Sequence, residues 1–456
     1  MPKHATPSRR TRGLSRRQFI SSSIGAAGAA TLIPQSARAG QQTPSSAPSD
    51  AVGVGFIGIG IRGEILMRAT QAVGGTRIVE VCDVYDGHFD RARELMGPSL
   101  RTTRDYRRVL DNRDIQAVII ATPDHWHRQM TLDAFAAGKD VYLEKPMSHR
   151  WEEGPELTRA ARESKRILQI GSQWASSPAN ERASEMIKSG KLGKVTLVHG
   201  AINRNTATGA WYYPVAPDAS PETIDWDRFL GPAPKVPFDA RRFFQWRLFW
   251  DYSGGLPTDL FVHMITATHT IMGVKMAQRV MALGGIYNWP ERREVPDQMT
   301  AVAEYPEGFT LTMTATANNG HNLPFLTIMG TEGTLEYHGS KLVHYAEPML
   351  ENYTYSTTAW PEPTRRKFAE LNDLDPKSMR PLATAGISRR PPEEIPTPGR
   401  DSTEAHLAAF YDSVRTRKEP FEDGEMGSLC ATVGHMVNLS HKARKEVTWD
   451  GASVLT

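Results

Sequence analysis

The sequence predicts an α/β protein built on two unlike sheets. An N-terminal doubly wound parallel sheet is followed by an α/β domain with a large open, mostly antiparallel sheet. Three observations predict this. Buried strands alternate with helical stretches from residue 51 to 172, as in a parallel sheet with helices on both faces. The first strand breaks into a glycine-rich turn that opens a helix. From about residue 194 the pattern changes to alternating strands joined by short turns, Pro306-Glu307-Gly308 and Thr331-Glu332-Gly333 among them, which reads as hairpins.

The first strand and turn, Val52 to Gly63, carry Gly58-x-Gly60-x-x-Gly63. At this spacing the first glycine permits the tight turn, the second lets backbone approach a pyrophosphate, and the third lets helix and strand pack closely. Ile61 and Arg62 sit on the helix N-terminus, whose free N–H groups and positive dipole end suit an anion. The next strand, Arg77–Cys82, ends at Asp83, about where a carboxylate bonds ribose hydroxyls in such sites. Strand, turn, helix, strand and acid in that order point to nucleotide binding.

Ile115–Ala121 is apolar almost throughout, so it reads as a third buried strand, ending at Thr122-Pro123-Asp124-His125-Trp126-His127. Asp140–Leu143 is a fourth, ending in Glu144-Lys145-Pro146, and Arg166–Gly171 a fifth. The carboxyl ends of such strands form the ligand crevice of an open α/β sheet. Beyond it, Ser177-Pro178 caps a helix, and strands are expected at Lys194–Asn203, Arg279–Tyr287, Gln298–Tyr305, Phe309–Thr316, Phe325–Met329 and Thr334–Tyr337. Residues 204–255 form a long irregular segment rich in aromatics, the kind of segment that often carries function. Residues 346–400 read as a surface arm, and helices are expected at 403–418 and 427–445.

The chain of 456 residues has the composition of an ordinary globular protein and a formal charge of +3. Its first 39 residues hold basic side chains from Lys3 to Arg38 and no acid, so the remainder is net acidic. Nothing in that balance points to a nucleic-acid partner. Ser15-Arg16-Arg17-Gln18-Phe19-Ile20 is a twin-arginine signature, followed by a short apolar stretch and Ala37-Arg38-Ala39 as a cleavage site. Residues 1–39 therefore read as a signal peptide for export, periplasmic or otherwise, and 40–50 as a linker. The apolar stretch is too short for a membrane span. An exported enzyme meets no pool of soluble nucleotide, so a tightly held cofactor recycled on the protein is expected. Cys82 and Cys430, the two cysteines of the chain, read as small core residues, and no metal-ligand spacing is present.

Lys145 falls at the crevice, where an ammonium group donates to a substrate oxygen and favours a developing alkoxide. Gly254-Gly255 precedes a helix on which Asp259 and His263, four apart, share a face. A carboxylate beside an imidazole raises its basicity and fixes its tautomer, which suits a general base. A buried structural hydrogen bond, or half of a metal site lacking its third ligand, accounts for the same pair. His269 need not share the site. Trp246 and Arg247, just before that helix, are candidate substrate contacts.

With these residues assembled, the chain resembles the glucose–fructose oxidoreductase, inositol dehydrogenase and rhizopine-catabolism family (Gfo/Idh/MocA) over about residues 52–345. The glycine strand, Thr122-Pro123 with His127, and Glu144-Lys145-Pro146 fit the cofactor half of that family, and Asp259-x-x-x-His263 fits the substrate half. The resemblance implies a Rossmann domain over 51–172, a substrate-binding and oligomerisation domain over 173–400, and terminal helices, 401–456, packing back on the body. It implies nicotinamide-dependent oxidation of a carbinol on a sugar, cyclitol or glycoside. Lys145 contacts the reacting oxygen, His263 acts as general acid/base, and Asp259 orients it. Gly58, Gly60, Ile61, Arg62, Gly63, Asp83, Thr122, Pro123, His127, Glu144 and Lys145 hold the cofactor. The substrate meets Lys145, Trp246, Arg247 and His263. Asp83 favours NAD over NADP, whose 2′-phosphate would meet its charge. Family members associate through the open sheet, so a homodimer or homotetramer is expected.

Two alternatives stand beside this reading. Exported relatives include NAD-dependent glycosidases that oxidise, eliminate and re-reduce, although the chain lacks an obvious match to their histidine loop. A non-catalytic nucleotide- or sugar-binding member is the other. The sequence also departs from many relatives in carrying Thr266, not an acid, three residues after His263.

Overall fold

A computed structural model describes residues 51–347, 353–374, 379 and 391–456. The expected leader and linker lie outside the described residues, as does much of the arm expected at 346–400.

The N-terminal half is a six-stranded parallel sheet. Its strands are β1 (Val52–Ile57), β2 (Thr76–Cys82), β3 (Arg101–Thr103), β4 (Ala117–Ile120), β5 (Asp140–Leu143) and β6 (Leu168–Ile170), in the order β3-β2-β1-β4-β5-β6. β1, β4 and β5 are buried at every position, as strands covered on both faces must be. Helices α1 (Ile61–Val73), α2 (Asp86–Met96), α3 (Tyr106–Asp111), α4 (His127–Ala136) and α5 (Glu153–Ser164) supply the cover. The strand order reverses between β1 and β4, which opens a crevice at their carboxyl ends. β3 has no counterpart in the sequence reading, because three residues at a sheet edge carry too little pattern to register.

α6 (Pro178–Lys188) leads into the second half, with Ser177 capping it by accepting from the Ala179 N–H. β7 (Val195–Asn203) then enters a ten-stranded sheet. The chain next runs through the aromatic segment, which holds α7 (Trp226–Leu230) and α8 (Ala240–Phe244), to α9 (Val262–Met272). The remaining strands are β8 (Arg279–Gly285), β9 (Gln298–Tyr305), β10 (Phe309–Thr316), β11 (Leu326–Gly330), β12 (Gly333–Tyr337) and β13 (Lys341–Ala346). After α10 (Glu362–Leu371) come β14 (Glu393–Pro396), α11 (Ser402–Thr416), α12 (Gly424–Ala443), β15 (Val447–Trp449) and β16 (Val454–Leu455). The order is β14-β13-β12-β11-β7-β10-β9-β8-β15-β16. Neighbours pair antiparallel, except that β7 and β10 run parallel.

Alternation decides which face of this sheet is covered. Met299, Ala301, Ala303 and Tyr305 of β9 point into a core shared with Met264 and Ile265 of α9 and Val433 and Met436 of α12. The opposite face is open. On it Met281 and Leu283 of β8 lie beside Val302 of β9, and Leu283 is 75% exposed.

The terminal helices bind the halves together. The Tyr411 hydroxyl of α11 meets Thr70 of α1 at 2.8 Å, and Gln169 of β6 donates to the His406 carbonyl. Asn438 of α12 donates to the Gly254 carbonyl at 2.7 Å, fixing a turn that bears directly on the site. Cys82 and Cys430 are both free and buried. Cys430 meets His269 Nδ1, while His269 Nε2 bonds the Tyr305 hydroxyl, so His269 belongs to the core.

Candidate active site

The glycine loop has the shape its spacing predicts. Gly58 has φ +84, and a Cβ there would lie 2.7 Å from the Ala121 carbonyl oxygen. A Cβ on Gly63 would meet the Gly58 carbonyl oxygen at 2.4 Å. Both positions exclude a side chain. Gly60 differs, since its missing Cβ would touch His88 at 3.6 Å and nothing closer. It faces a cavity of about 660 Å³, and there backbone approaches whatever the cavity holds. A dinucleotide cofactor fits these residues: a turn closed by glycine, an open glycine, and helix N–H groups beyond it.

Asp83 at the end of β2 lines the same cavity but is already engaged. Its carboxylate accepts from the Ile59 N–H at 2.8 Å and from the Val84 and Tyr85 N–H groups, with His88 Nδ1 at 3.1 Å. Burial alone would raise this carboxyl, but the His88 charge and those N–H groups hold it below the usual range. Asp83 thus braces the glycine loop as well as facing the cavity.

β4 and β5 deliver the next group of residues. Thr122, Pro123 and Glu144 line the cavity with Arg62, whose Nε donates to Glu144 Oε1 at 2.7 Å. His127, expected on the cofactor, does not reach the cavity. Its ring lies between the Pro146 carbonyl (2.7 Å) and the Thr122 carbonyl (3.0 Å). Burial lowers its pKa and favours the neutral ring, which carries one N–H and so donates to one of the two carbonyls. His127 ties the loop after β4 to the loop after β5, and it is a positioning residue. His125 likewise turns away, with Nε2 on the Phe229 carbonyl.

Lys145 crosses from the first half to the second. Its Nζ donates to the Asp259 carbonyl at 2.8 Å and to Asp259 Oδ1 at 2.9 Å. Arg247 Nε donates to the same carboxylate oxygen at 3.3 Å. Burial raises the Asp259 carboxyl, yet the Lys145 and Arg247 charges outweigh it and hold the group far below the usual carboxylate range.

The expected Asp259–His263 hydrogen bond is absent. Residues Pro257–Phe261 form a π-helical turn ahead of α9, wider than an α-turn. Four residues on is therefore not directly above, and the carboxylate goes to Lys145. His263 stands on the cavity wall with Nδ1 buried and without a hydrogen-bond partner. Trp174 packs on its ring at 4.6 Å between centroids. Burial, and then the Lys145 charge, push its pKa well below the ordinary histidine value, leaving a neutral imidazole. No group of His, Cys, Asp and Glu suited to a metal occurs among the described residues.

Trp246 and Arg247 do line the cavity, and the Arg247 guanidinium lies over the Trp246 ring at 4.2 Å. Several wall residues escaped the sequence reading: Trp174 in the turn after β6, Arg204 after β7, Tyr213 in the aromatic segment, and Asp124. Asp124 Oδ2 accepts the Gly254 N–H at 3.2 Å, and burial pushes its carboxyl up to about 6. Its position within Thr122–His127 was the available signal. Arg204 and Tyr213 fall in the segment 204–255 but nothing there singled them out, and for Trp174 no signal existed, since single residues in loops acquire meaning from what the fold places opposite them.

Comparison with known proteins agrees with this geometry. Residues 52–172 match a family model described as an oxidoreductase family, NAD-binding Rossmann fold, and residues 184–449 match that family's C-terminal alpha/beta domain. Inositol 2-dehydrogenase of Salmonella typhimurium is 28% identical over 148 residues, 32% of this chain and 44% of the relative. Glycosyl hydrolase family 109 protein 2 of a Shewanella species is 29% identical over 208 residues, 41% of this chain and 45% of the relative. The chain thus spans less than half the length of these curated relatives. Among solved structures, a levoglucosan dehydrogenase in complex with NADH and levoglucosan aligns with a TM-score of 0.64 at 18% identity, covering 87% of this chain and 99% of that one. An aldose-aldose oxidoreductase from Caulobacter crescentus gives 0.62 at 19%, covering 88% and 100%. At such identities these two establish the shared fold.

Proposed function

Because this chain belongs to the Gfo/Idh/MocA oxidoreductase family, we propose that it oxidises or reduces a carbinol of a sugar, cyclitol or glycoside with a tightly held NAD(H). One observation carries the reading. Lys145, Asp259 and His263 line the same cavity as the open Gly60, so the proton-handling groups face the nucleotide loop. The relatives named for inositol and levoglucosan support a polyol-like substrate, and the Trp174, Tyr213 and Trp246 rings suit the apolar faces of a sugar. Asp83 supports NAD over NADP.

Bound nicotinamide supplies the hydride acceptor or donor. The residues handle the proton and the charge. Lys145, its ammonium fixed by two oxygens of Asp259, donates a hydrogen bond to the carbinol oxygen and stabilises the alkoxide as it forms. His263, held neutral, accepts the proton of the hydroxyl. Asp259 balances and aims Lys145, and so acts on the reaction through it. His127 keeps the two cofactor-side loops in register.

Export by the twin-arginine leader supports retention of the cofactor, because a folded protein carries it out. Copies associating through the open face of β8 and β9 account for the exposed Met281, Leu283 and Val302. A second reading, glycoside cleavage by transient oxidation, is supported by the likeness to the family 109 glycosyl hydrolase. Products separate the two: an oxidised sugar in one case, a released aglycone with nucleotide unchanged in the other. The test is to load the full chain with NAD⁺ and add sugars, cyclitols and glycosides while following reduced nicotinamide and products. The absence of both nicotinamide reduction and glycoside cleavage with all of them would overturn the proposal.

A further inference from the structure

The charges around the substrate end of the cavity do not balance, and the excess sits on one residue. Lys145 is neutralised by Asp259 at 2.9 Å. Arg62 is neutralised by Glu144. Arg247 shares Asp259 through Nε and has Asp124 in its field, which is ionised above about pH 6. Arg204 also lines the cavity, and it has no such partner. Among the described residues no acid pairs with it and no side-chain acceptor bonds its guanidinium.

The backbone holds this arginine in place. Arg204 follows β7, in the middle of the ten-stranded sheet, and its N–H donates to the Thr316 carbonyl at 2.8 Å. Two residues earlier, Ile202 lines the cavity as well, as expected where alternate side chains of an extended strand share a face. The Arg204 charge acts on both Asp259 and His263, so it lies close enough to bear on the reacting groups. The Arg247 guanidinium, over the Trp246 ring, offers the cavity a second cation whose one side-chain bond, from Nε, goes to Asp259.

We propose that the substrate is a sugar acid, and that Arg204 receives its carboxylate. Arg204 is half-buried, and a neutral polyol packed against it would exclude further water from the unpaired guanidinium while giving it no counter-charge, which costs free energy. A carboxylate matches the planar fork of the guanidinium and can accept two parallel hydrogen bonds. The carboxylate sets orientation, and the carbinol is left for Lys145 and His263. This inference rests on the sugar-oxidoreductase reading and narrows it to anionic substrates.

The test uses the full chain loaded with NADH and matched pairs of probes: glucuronate, galacturonate and mannuronate against glucose, galactose and mannose. Binding is read by quenching of the nucleotide fluorescence, in the wild type and in Arg204→Gln. At least one acid is expected to bind about tenfold or more tightly than its neutral parent, and that ratio to collapse in Arg204→Gln. Salt should weaken the acid and leave the parent little changed. Equal binding within every pair, binding of none of the acids, or a preference that survives Arg204→Gln would each overturn the proposal. Failure of NADH itself to bind is a separate result and strikes the oxidoreductase reading.

Discussion

Lys145 reaches across from β5 to Asp259, and the two form an ion pair enclosed by both halves of the molecule. Removing either charge leaves the other buried without compensation. Asp259→Asn keeps the backbone carbonyl that Lys145 also uses, so the lysine stays near its place but loses its counter-ion. A fall in kcat of about 10²-fold or more is expected, against about 10²–10⁴ for Lys145→Ala or His263→Ala; steady-state kinetics on an accepted substrate checks it. Asp124 makes a different prediction. Its folded pKa of about 6 lies above the ordinary 3.8. Between those values the folded chain keeps a proton that the unfolded chain has lost. Stability therefore falls as pH rises through this window, and the full cost is present above about pH 6. Asp124→Asn retains an oxygen for the Gly254 N–H and removes the ionisation. It should stabilise the protein by about 3 kcal/mol near pH 8 and by almost nothing near pH 4, read from thermal midpoints at the two values. No gain near pH 8 would show that Asp124 ionises there without penalty.

Among the elements, the glycine loop was the most legible, because each glycine answers a separate steric demand that spacing alone records. The same contacts separate the three positions experimentally. Gly63→Ala drives a methyl into the Gly58 carbonyl and should lose both stability and nucleotide binding. Gly60→Ala places its methyl 3.6 Å from His88 at a φ of −66. It should leave stability within about 0.5 kcal/mol while weakening NAD binding about tenfold, as calorimetry of both variants would show. The π-helical turn at Pro257–Phe261 was not legible. An i, i+4 pair reads as one helical face only if the turn is an α-turn, and nothing in Pro257-Thr258-Asp259-Leu260-Phe261 marks the wider one. The turn is shaped by what packs on it, with Gly434 of α12 against the Pro257 carbonyl and Asn438 holding Gly254. Such contacts lie far apart in the chain, so local pattern does not carry them. His127 shows the same limit: its place after Thr122-Pro123 suggested the cofactor, whereas burial directs its ring to two carbonyls.

On the scale of the whole molecule, the change from unbroken apolar strands to alternating ones near residue 194 located the passage between the sheets. It did so because burial on two faces and burial on one leave different periodicities. Strands β13 to β16, the outer two at each end of the second sheet, lacked that signal. How the two sheets meet was not legible either, and the cavity is made by that meeting: Gly60, Lys145 and Asp124 come from one half, Arg204, Arg247 and His263 from the other. The open face of the second sheet makes its own prediction. Leu283→Glu, at a position 75% exposed, should shift the protein toward monomers in analytical ultracentrifugation without lowering its thermal midpoint. An unchanged sedimentation coefficient would exclude that face as the contact.

The most direct measurement is mass spectrometry of the nucleotide released on denaturing the purified full chain, before and after one addition of sugar substrate. Near-stoichiometric NAD⁺ that becomes NADH in the wild type, and stays NAD⁺ in Lys145→Ala, is the expected result. A protein that carries no nucleotide and takes up none when it is supplied would contradict the assignment at its root.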